Sequence, residues 1–197
     1  MEKGLEEGLI RLLKDAFALP DTDLKTYSPL TLAYIGDVVY DLIIRTLVVE
    51  QGNAPVNKLH KRVSSMVKAS AQMELYHGIE DMLTEEELSI YKRGRNAKSF
   101  TTAKNATITE YRSATGLEAL MGYLYLDNRL DRVLELIKAG LERRSAAASV
   151  KAKENEIKPS EMKKEQEEKK CDLSERVQED SETETRTASE TSQSITE

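Results

Sequence analysis

The sequence is poor in the residues that most often staple a small domain or bind a metal in it. Of 197 residues, one is cysteine, Cys171, and two are histidine, His60 and His77. A single cysteine makes no internal disulfide and cannot furnish a four-ligand zinc site. It fits a reducing compartment, and the expected location is cytoplasmic. Two histidines leave zinc chemistry of the histidine kind short of ligands. The stretch MEKGLEEGLI carries acidic residues and lacks a long apolar segment, so it does not read as a signal peptide. Residues 30–49 are nearly long enough to cross a bilayer, yet Asp37, Asp41 and Arg45 recur every four residues along them. A membrane span rarely carries three such charges, so no membrane association is expected. Strand patterns and internal repeats are also missing.

Net charge is small where the apolar residues are. The formal charge is −6, but 9 of the 29 Lys and Arg and 14 of the 35 Asp and Glu lie beyond residue 150, a net of −5 there. The rest of the chain is close to neutral, so the overall charge does not argue against a nucleic-acid partner. Lys, Glu, Ser and Thr dominate the last segment, which cannot offset its ordering entropy by burial. Residues 1–145 are expected to form one domain. Residues 146–197 are expected to be a charged, low-complexity, disordered tail.

Helical periodicity dominates the first part. Residues 5–17 read as an amphipathic helix. Ser28 followed by Pro29 reads as an N-cap and first-turn proline opening a long helix over 29–50, closed at Gly52. Leu32, Ala33, Ile35, Val38, Val39, Leu42, Ile43 and Ile44 suggest that this helix is buried. Residues 56–77 hold one or two helices. Thr84 with Glu87 is a capping-box signature for a helix running to about Lys92. Residues 91–105 read as a loop, and 107–126 and 129–144 as two further helices. The fold class is therefore all-α.

Two carboxylates sit unusually within this pattern. Asp37 follows Gly36 inside an apolar helix, with Asp41 one turn on. Glu118 lies beside the stripe Leu117, Leu120, Met121 and Leu124, with Gly122 one turn on. A small residue beside each carboxylate lets two helices approach closely, which would aim Asp37 and Glu118 at one point. Hard oxygen ligands that converge suit Mg²⁺. The alternative is structural: Asp37 pairs with Arg45 and Glu118 makes an ordinary ion pair. A third constellation is YKRGRNAKSFTTAKN, which has no acid. Its Arg93, Arg95, Asn96, Lys98, Lys104 and Asn105 are of the types that contact phosphate and sugar. Lys61, beside His60 and Arg62, extends this candidate RNA-binding set. Carboxylates that hold a metal, next to a phosphate-binding surface, point to metal-dependent phosphodiester hydrolysis.

The stretches LAYIGDVVYD and GLEALMGYLYLD resemble the two signature helices of the ribonuclease III catalytic domain. RGRNAKSFTTAKN, YRSATGLEALMGYL and HKRVSSMVKASAQ are similar to its smaller branch, Mini-ribonuclease III. The likeness covers roughly residues 24–140. It implies a ribonuclease III-type helical endonuclease domain and an endoribonuclease that works as a homodimer on double-stranded RNA. It further implies Mg²⁺ as cofactor, 5′-phosphate products and maturation of the large-subunit (23S) ribosomal RNA precursor, with room for a ribosomal protein as helper. Carried over by motif, Asp37 is the central catalytic and metal residue and Glu118 the second metal ligand. Full-length members usually carry further acids where this chain has Leu30, Ala33 and Thr115. Those gaps leave open how many metals bind, and whether Asp41 compensates for them or forms a salt bridge with Arg45. The competing reading is a non-catalytic RNA-binding or ribosome-assembly factor that uses the same basic surface.

Overall fold

The computed structural model describes residues 8–98 and 106–150. The chain divides into two units, Met1–Ser145 and Ala146–Glu197. The first unit holds α1 (Leu9–Phe17), α2 (Pro29–Glu50), α3 (Val56–Val67), α4 (Ala69–Ile79), α5 (Glu85–Arg95) and α6 (Ile108–Leu126). A last helix, α7, starts at residue 130 and is helical over 130–150. Short 3-10 turns precede α2 and α5. Every regular element among the described residues is helical, as the periodicity predicts.

The caps read from the sequence are in place. Ser28 accepts a hydrogen bond from the Thr31 amide, with Pro29 in the first turn of α2. The Thr84–Glu87 capping box opens α5, and a second one, Thr107–Glu110, opens α6. Residues 56–79 form two helices rather than one. Lys68 stands between them in an extended conformation that interrupts the helical ladder.

α6 is the centre of the domain. Leu117, Ala119, Leu120, Met121 and Leu124 are inaccessible to solvent and pack with Leu32, Ile44, Leu75, Ile79, Leu136 and Ile137 from α2, α4 and α7. Each large apolar side chain buried in this way contributes about 1.5–3 kcal/mol. Two glycine contacts bring α6 to its neighbours. Gly116 faces Tyr91 and Gly94 of α5, while Gly122 faces the Leu32 carbonyl of α2. Tyr91 in turn stacks on Tyr76 of α4, with ring centroids 3.7 Å apart, and its hydroxyl meets that of Ser113 at 2.9 Å.

A fully buried carboxylate, Glu87, ties α5 to α7. Arg132 donates to both of its oxygens at 3.0 Å, and Arg129 donates to one at 3.1 Å. Arg132 also donates to the Met82 carbonyl. Burial alone would raise the carboxyl of Glu87, but Arg132, the Thr84 amide and the charge of Arg129 outweigh it and hold the group below the usual glutamate range.

The structure corrects two expectations. The basic segment is not all loop. Arg93 and Arg95 belong to the last turn of α5, because Tyr91 and Gly94 pack on α6 and carry the helix that far. The long helix α2 is not buried all round. Leu32, Ala33, Gly36, Val39, Tyr40, Ile44 and Val48 face the core, whereas Leu30, Tyr34, Val38 and Leu42 form an exposed apolar stripe at a spacing of four. The expected disorder beyond residue 150 lies outside the described residues.

Candidate active site

Asp37 and Glu118 come from the two helices in closest contact. At the crossing, a Cβ on Gly36 would stand 1.8 Å from the Glu118 carbonyl oxygen and 2.6 Å from the Gly122 nitrogen. A Cβ on Gly122 would stand 2.0 Å from the Leu32 carbonyl oxygen. No side chain fits at either position. The backbones therefore meet directly, with Asp37 next to one glycine and Glu118 one turn before the other.

The charge of Asp37 is felt at Glu118. Burial pushes the Glu118 carboxyl up to about 7; a hydrogen bond from Gln72 opposes the rise and the charge of Asp37 adds to it. Asp37 is open to solvent on one side, yet the surrounding helices desolvate it enough, together with the charge of Asp41, to raise it above the usual aspartate range. Two acids that each resist ionisation because burial desolvates them and a nearby carboxylate repels their charge are suited to receive a cation.

Among the described residues no arginine neutralises Asp37. Arg45 donates instead to Asp41, one turn away. Of the two possibilities for Arg45, the structure takes the Asp41 ion pair, which leaves Asp37 to the site.

Glu118 is held by a residue that sequence reasoning does not single out. Gln72 of α4 donates from Nε2 to Glu118 Oε1 at 3.0 Å and to the Val67 carbonyl at 3.1 Å. Gln72 is 3% exposed, and among the described residues its Oε1 has no hydrogen-bond partner. A buried acceptor left unpaired costs about 1–3 kcal/mol. The signal in the sequence is one amide in the mixed run ASAQMEL, too weak by itself to separate from a surface glutamine.

The positions that carry acids in full-length relatives supply none here. Leu30 is exposed and Ala33 is buried. The Thr115 hydroxyl donates to the Tyr111 carbonyl within α6. Among the described residues no group of three or more His, Cys, Asp or Glu gathers in a form that could hold a metal. The candidate donors are two carboxylates, exposed Asp37 and partly buried Glu118. That suits Mg²⁺, which binds through one or two carboxylates and keeps several waters.

The basic candidates are more dispersed. Lys61 is exposed on α3. Arg95, Asn96 and Lys98 are exposed at the end of α5. Arg93 is partly buried and donates to the Tyr27 carbonyl at 2.9 Å, pinning α5 to the entry of α2. Lys104 and Asn105 lie outside the described residues.

A ribonuclease III domain is matched over residues 30–129, from the first turn of α2 to the residue before α7. The chain belongs to the ribonuclease III family. The Mini-ribonuclease 3 of Clostridium tetani is 51% identical over 117 residues, 59% of this chain and 78% of that protein. The Mini-ribonuclease 3 of Thermoanaerobacter is 45% identical over 138 residues, 70% of this chain and 97% of that protein. A crystal structure of a Fusobacterium nucleatum protein superposes with a TM-score of 0.56 at 34% identity, covering 62% of this chain and 98% of the other. These relatives place the chain in the Mini-ribonuclease 3 branch. As a ribonuclease III domain, the chain is an endoribonuclease. Among the described residues no helix is long and apolar enough to cross a membrane.

Proposed function

We propose that the protein is a Mg²⁺-dependent endoribonuclease of double-stranded RNA that matures the ends of 23S ribosomal RNA precursor in the cytoplasm. The observation that carries this reading is the crossing of α2 and α6 at Gly36 and Gly122, beside which Asp37 and Glu118 both hold their protons more tightly than ordinary carboxyls. Asp37 and Glu118 are the residues that would hold the metal. When bound, Mg²⁺ lowers the pKa of an attacking water and screens the phosphate charge. Asp37 contributes a carboxylate with one face open to water and substrate. Glu118, more enclosed and fixed by Gln72, supplies the second donor. Cleavage by such a water leaves a 5′-phosphate.

The RNA surface proposed is Lys61, Arg95, Asn96 and Lys98, with Lys104 and Asn105 completing the basic segment and Arg93, tied to the Tyr27 carbonyl, holding α5 in place behind it. A-form RNA is read through its backbone, its 2′-hydroxyls and its shape, which side chains of these types can contact without sequence-specific geometry. We assign residues 1–145 as the catalytic domain and residues 146–197 as a tail dispensable for chemistry. The exposed stripe of Leu30, Tyr34, Val38 and Leu42 on α2 supports a homodimer. A dimer would present two sites to the two strands of one duplex and enlarge the RNA footprint.

The test is cleavage of an end-labelled RNA duplex by wild type and by Asp37→Asn, with and without Mg²⁺. The substitution keeps the shape of the side chain and removes its charge. The expected result is Mg²⁺-dependent cutting by the wild type and binding without cutting by the variant. Equal cutting by both would remove Asp37 from the chemistry.

A further inference from the structure

Gln72 stands where three helices meet and touches Glu118, although it lies 46 residues away in sequence. Its two amide hydrogens are both committed. One goes to the Val67 carbonyl, the end of α3 left unpaired where Lys68 interrupts the helix. The other goes to Glu118 Oε1. With Glu118 ionised, as a bound cation requires, both partners are acceptors, so the amide has one admissible orientation: rotated by half a turn, it would set its oxygen against two oxygens. The Gln72 oxygen is correspondingly left in the interior with no hydrogen-bond partner among the described residues. Optimising α4 alone would favour an apolar side chain here, since neighbours Ala71 and Leu75 are fully buried.

We propose that Gln72 is a positioning residue of the metal site, its amide anchored on the Val67 carbonyl and aiming the Glu118 carboxylate at the point it shares with Asp37. This rests on the reading of Asp37 and Glu118 as metal ligands. Partners that orient a ligating side chain from behind are typically worth 10- to 100-fold in metal affinity or activity. Gln72 holds one oxygen of Glu118, leaving the other for a cation. Without the amide, the three side-chain torsions of Glu118 are free to carry the carboxylate away from Asp37.

The experiment uses the full chain with Gln72→Met, which keeps the volume and removes both donors, and Gln72→Ala as a second variant. Mg²⁺ binding is measured directly by isothermal titration calorimetry, and melting is followed without metal. RNA cleavage is followed as a function of Mg²⁺ concentration. The expected result is a roughly 10- to 100-fold weaker Mg²⁺ dissociation constant and a matching rise in the Mg²⁺ needed for half-maximal kcat. KM for RNA at saturating Mg²⁺ stays unchanged. In a Glu118→Gln background the same substitution then costs no further affinity, because the residue acts through Glu118.

Unchanged Mg²⁺ affinity with a lowered melting temperature overturns the proposal and makes Gln72 a cap for α3. Failure of both variants to fold overturns it equally, since the amide would then be holding helices rather than a carboxylate. A wild type that neither binds nor requires Mg²⁺ overturns the metal reading itself. That outcome is distinct from a wild type that binds Mg²⁺ no better than the Gln72 variants.

Discussion

Gly36 on α2 lies directly against Gly122 on α6: a methyl group on Gly36 would fall 2.6 Å from the Gly122 nitrogen. The contact is backbone to backbone, so neither helix can turn a side chain aside to make room. Gly36→Ala must therefore push the two helices apart. The expected destabilisation is about 3 kcal/mol or more, at the upper end for added volume in a packed core. Cleavage should fall further than stability alone explains, because Asp37 and Glu118 separate with the helices. Urea denaturation and cleavage under conditions where the variant is fully folded would check both parts. A variant as stable and active as wild type would mean that the helices can part at this crossing without cost.

Glu118 makes the metal-free protein sensitive to pH. Its carboxyl ionises near 4.5 in an unfolded chain and at about 7 in the fold. Between those values the folded state binds more protons than the unfolded one, so stability falls as pH rises. The stabilising contribution is complete below about 4.5 and is lost as pH passes through about 7. In the presence of EDTA, the melting temperature of wild type should decline across that window relative to Glu118→Gln, which has no proton to lose. A bound cation favours the ionised form, so saturating Mg²⁺ should flatten the decline. Parallel profiles for the two proteins in EDTA would rule out Glu118 as the source.

Glu87 behaves in the opposite sense. Its buried carboxylate is held charged by Arg132 and Arg129 and lies below the usual glutamate range. Its contribution is present above about 4.5 and disappears as pH falls through the lowered value. Glu87→Ala strips the partly buried Arg132 of its buried partner, leaving it the Met82 carbonyl and the exposed Glu135, and should cost about 3–5 kcal/mol, measured by chemical denaturation at neutral pH. A loss below about 1 kcal/mol, the range of solvent-exposed pairs, would show that water reaches the arginine side chains and replaces the pair.

The sequence discloses different parts of this fold by different routes. The cap of α2 at Ser28–Pro29 and the capping box at Thr84–Glu87 are legible because local hydrogen bonding dictates them. The approach of the helices that carry Asp37 and Glu118 is legible because a glycine marks each helix at the point of contact. The contacts of Gln72 are not legible, since its two partners lie five and 46 residues away and only packing brings them together. The length of α5 is hidden for a related reason. Lys92, Arg93 and Arg95 carry no apolar stripe, yet Gly94 fits against Ala119 and Gly116 of α6 and continues the helix. Composition also overstates the burial of α2, because it does not say which side of a uniformly apolar helix meets the core and which is left exposed.

Arg93 and Arg95 offer the sharpest separation between a structural cation and an RNA-facing one. They are two residues apart on one helical turn, so they point in different directions. Arg93 reaches back to the Tyr27 carbonyl, just ahead of the α2 cap, and Arg95 is exposed. Arg93→Ala should lower stability by about 1–3 kcal/mol through loss of a charged donor to a partly buried carbonyl, with a modest effect on RNA affinity. Arg95→Ala should leave the melting temperature close to that of wild type. If Arg95 contacts a phosphate, its loss weakens binding of all duplexes alike and reduces the slope of log K against log salt by about one unit. Binding of an RNA duplex across a series of salt concentrations, in Ca²⁺ to prevent turnover, measures that slope. A slope unchanged by Arg95→Ala but reduced by Arg93→Ala would reverse the assignment and put the Tyr27 contact aside when RNA is bound.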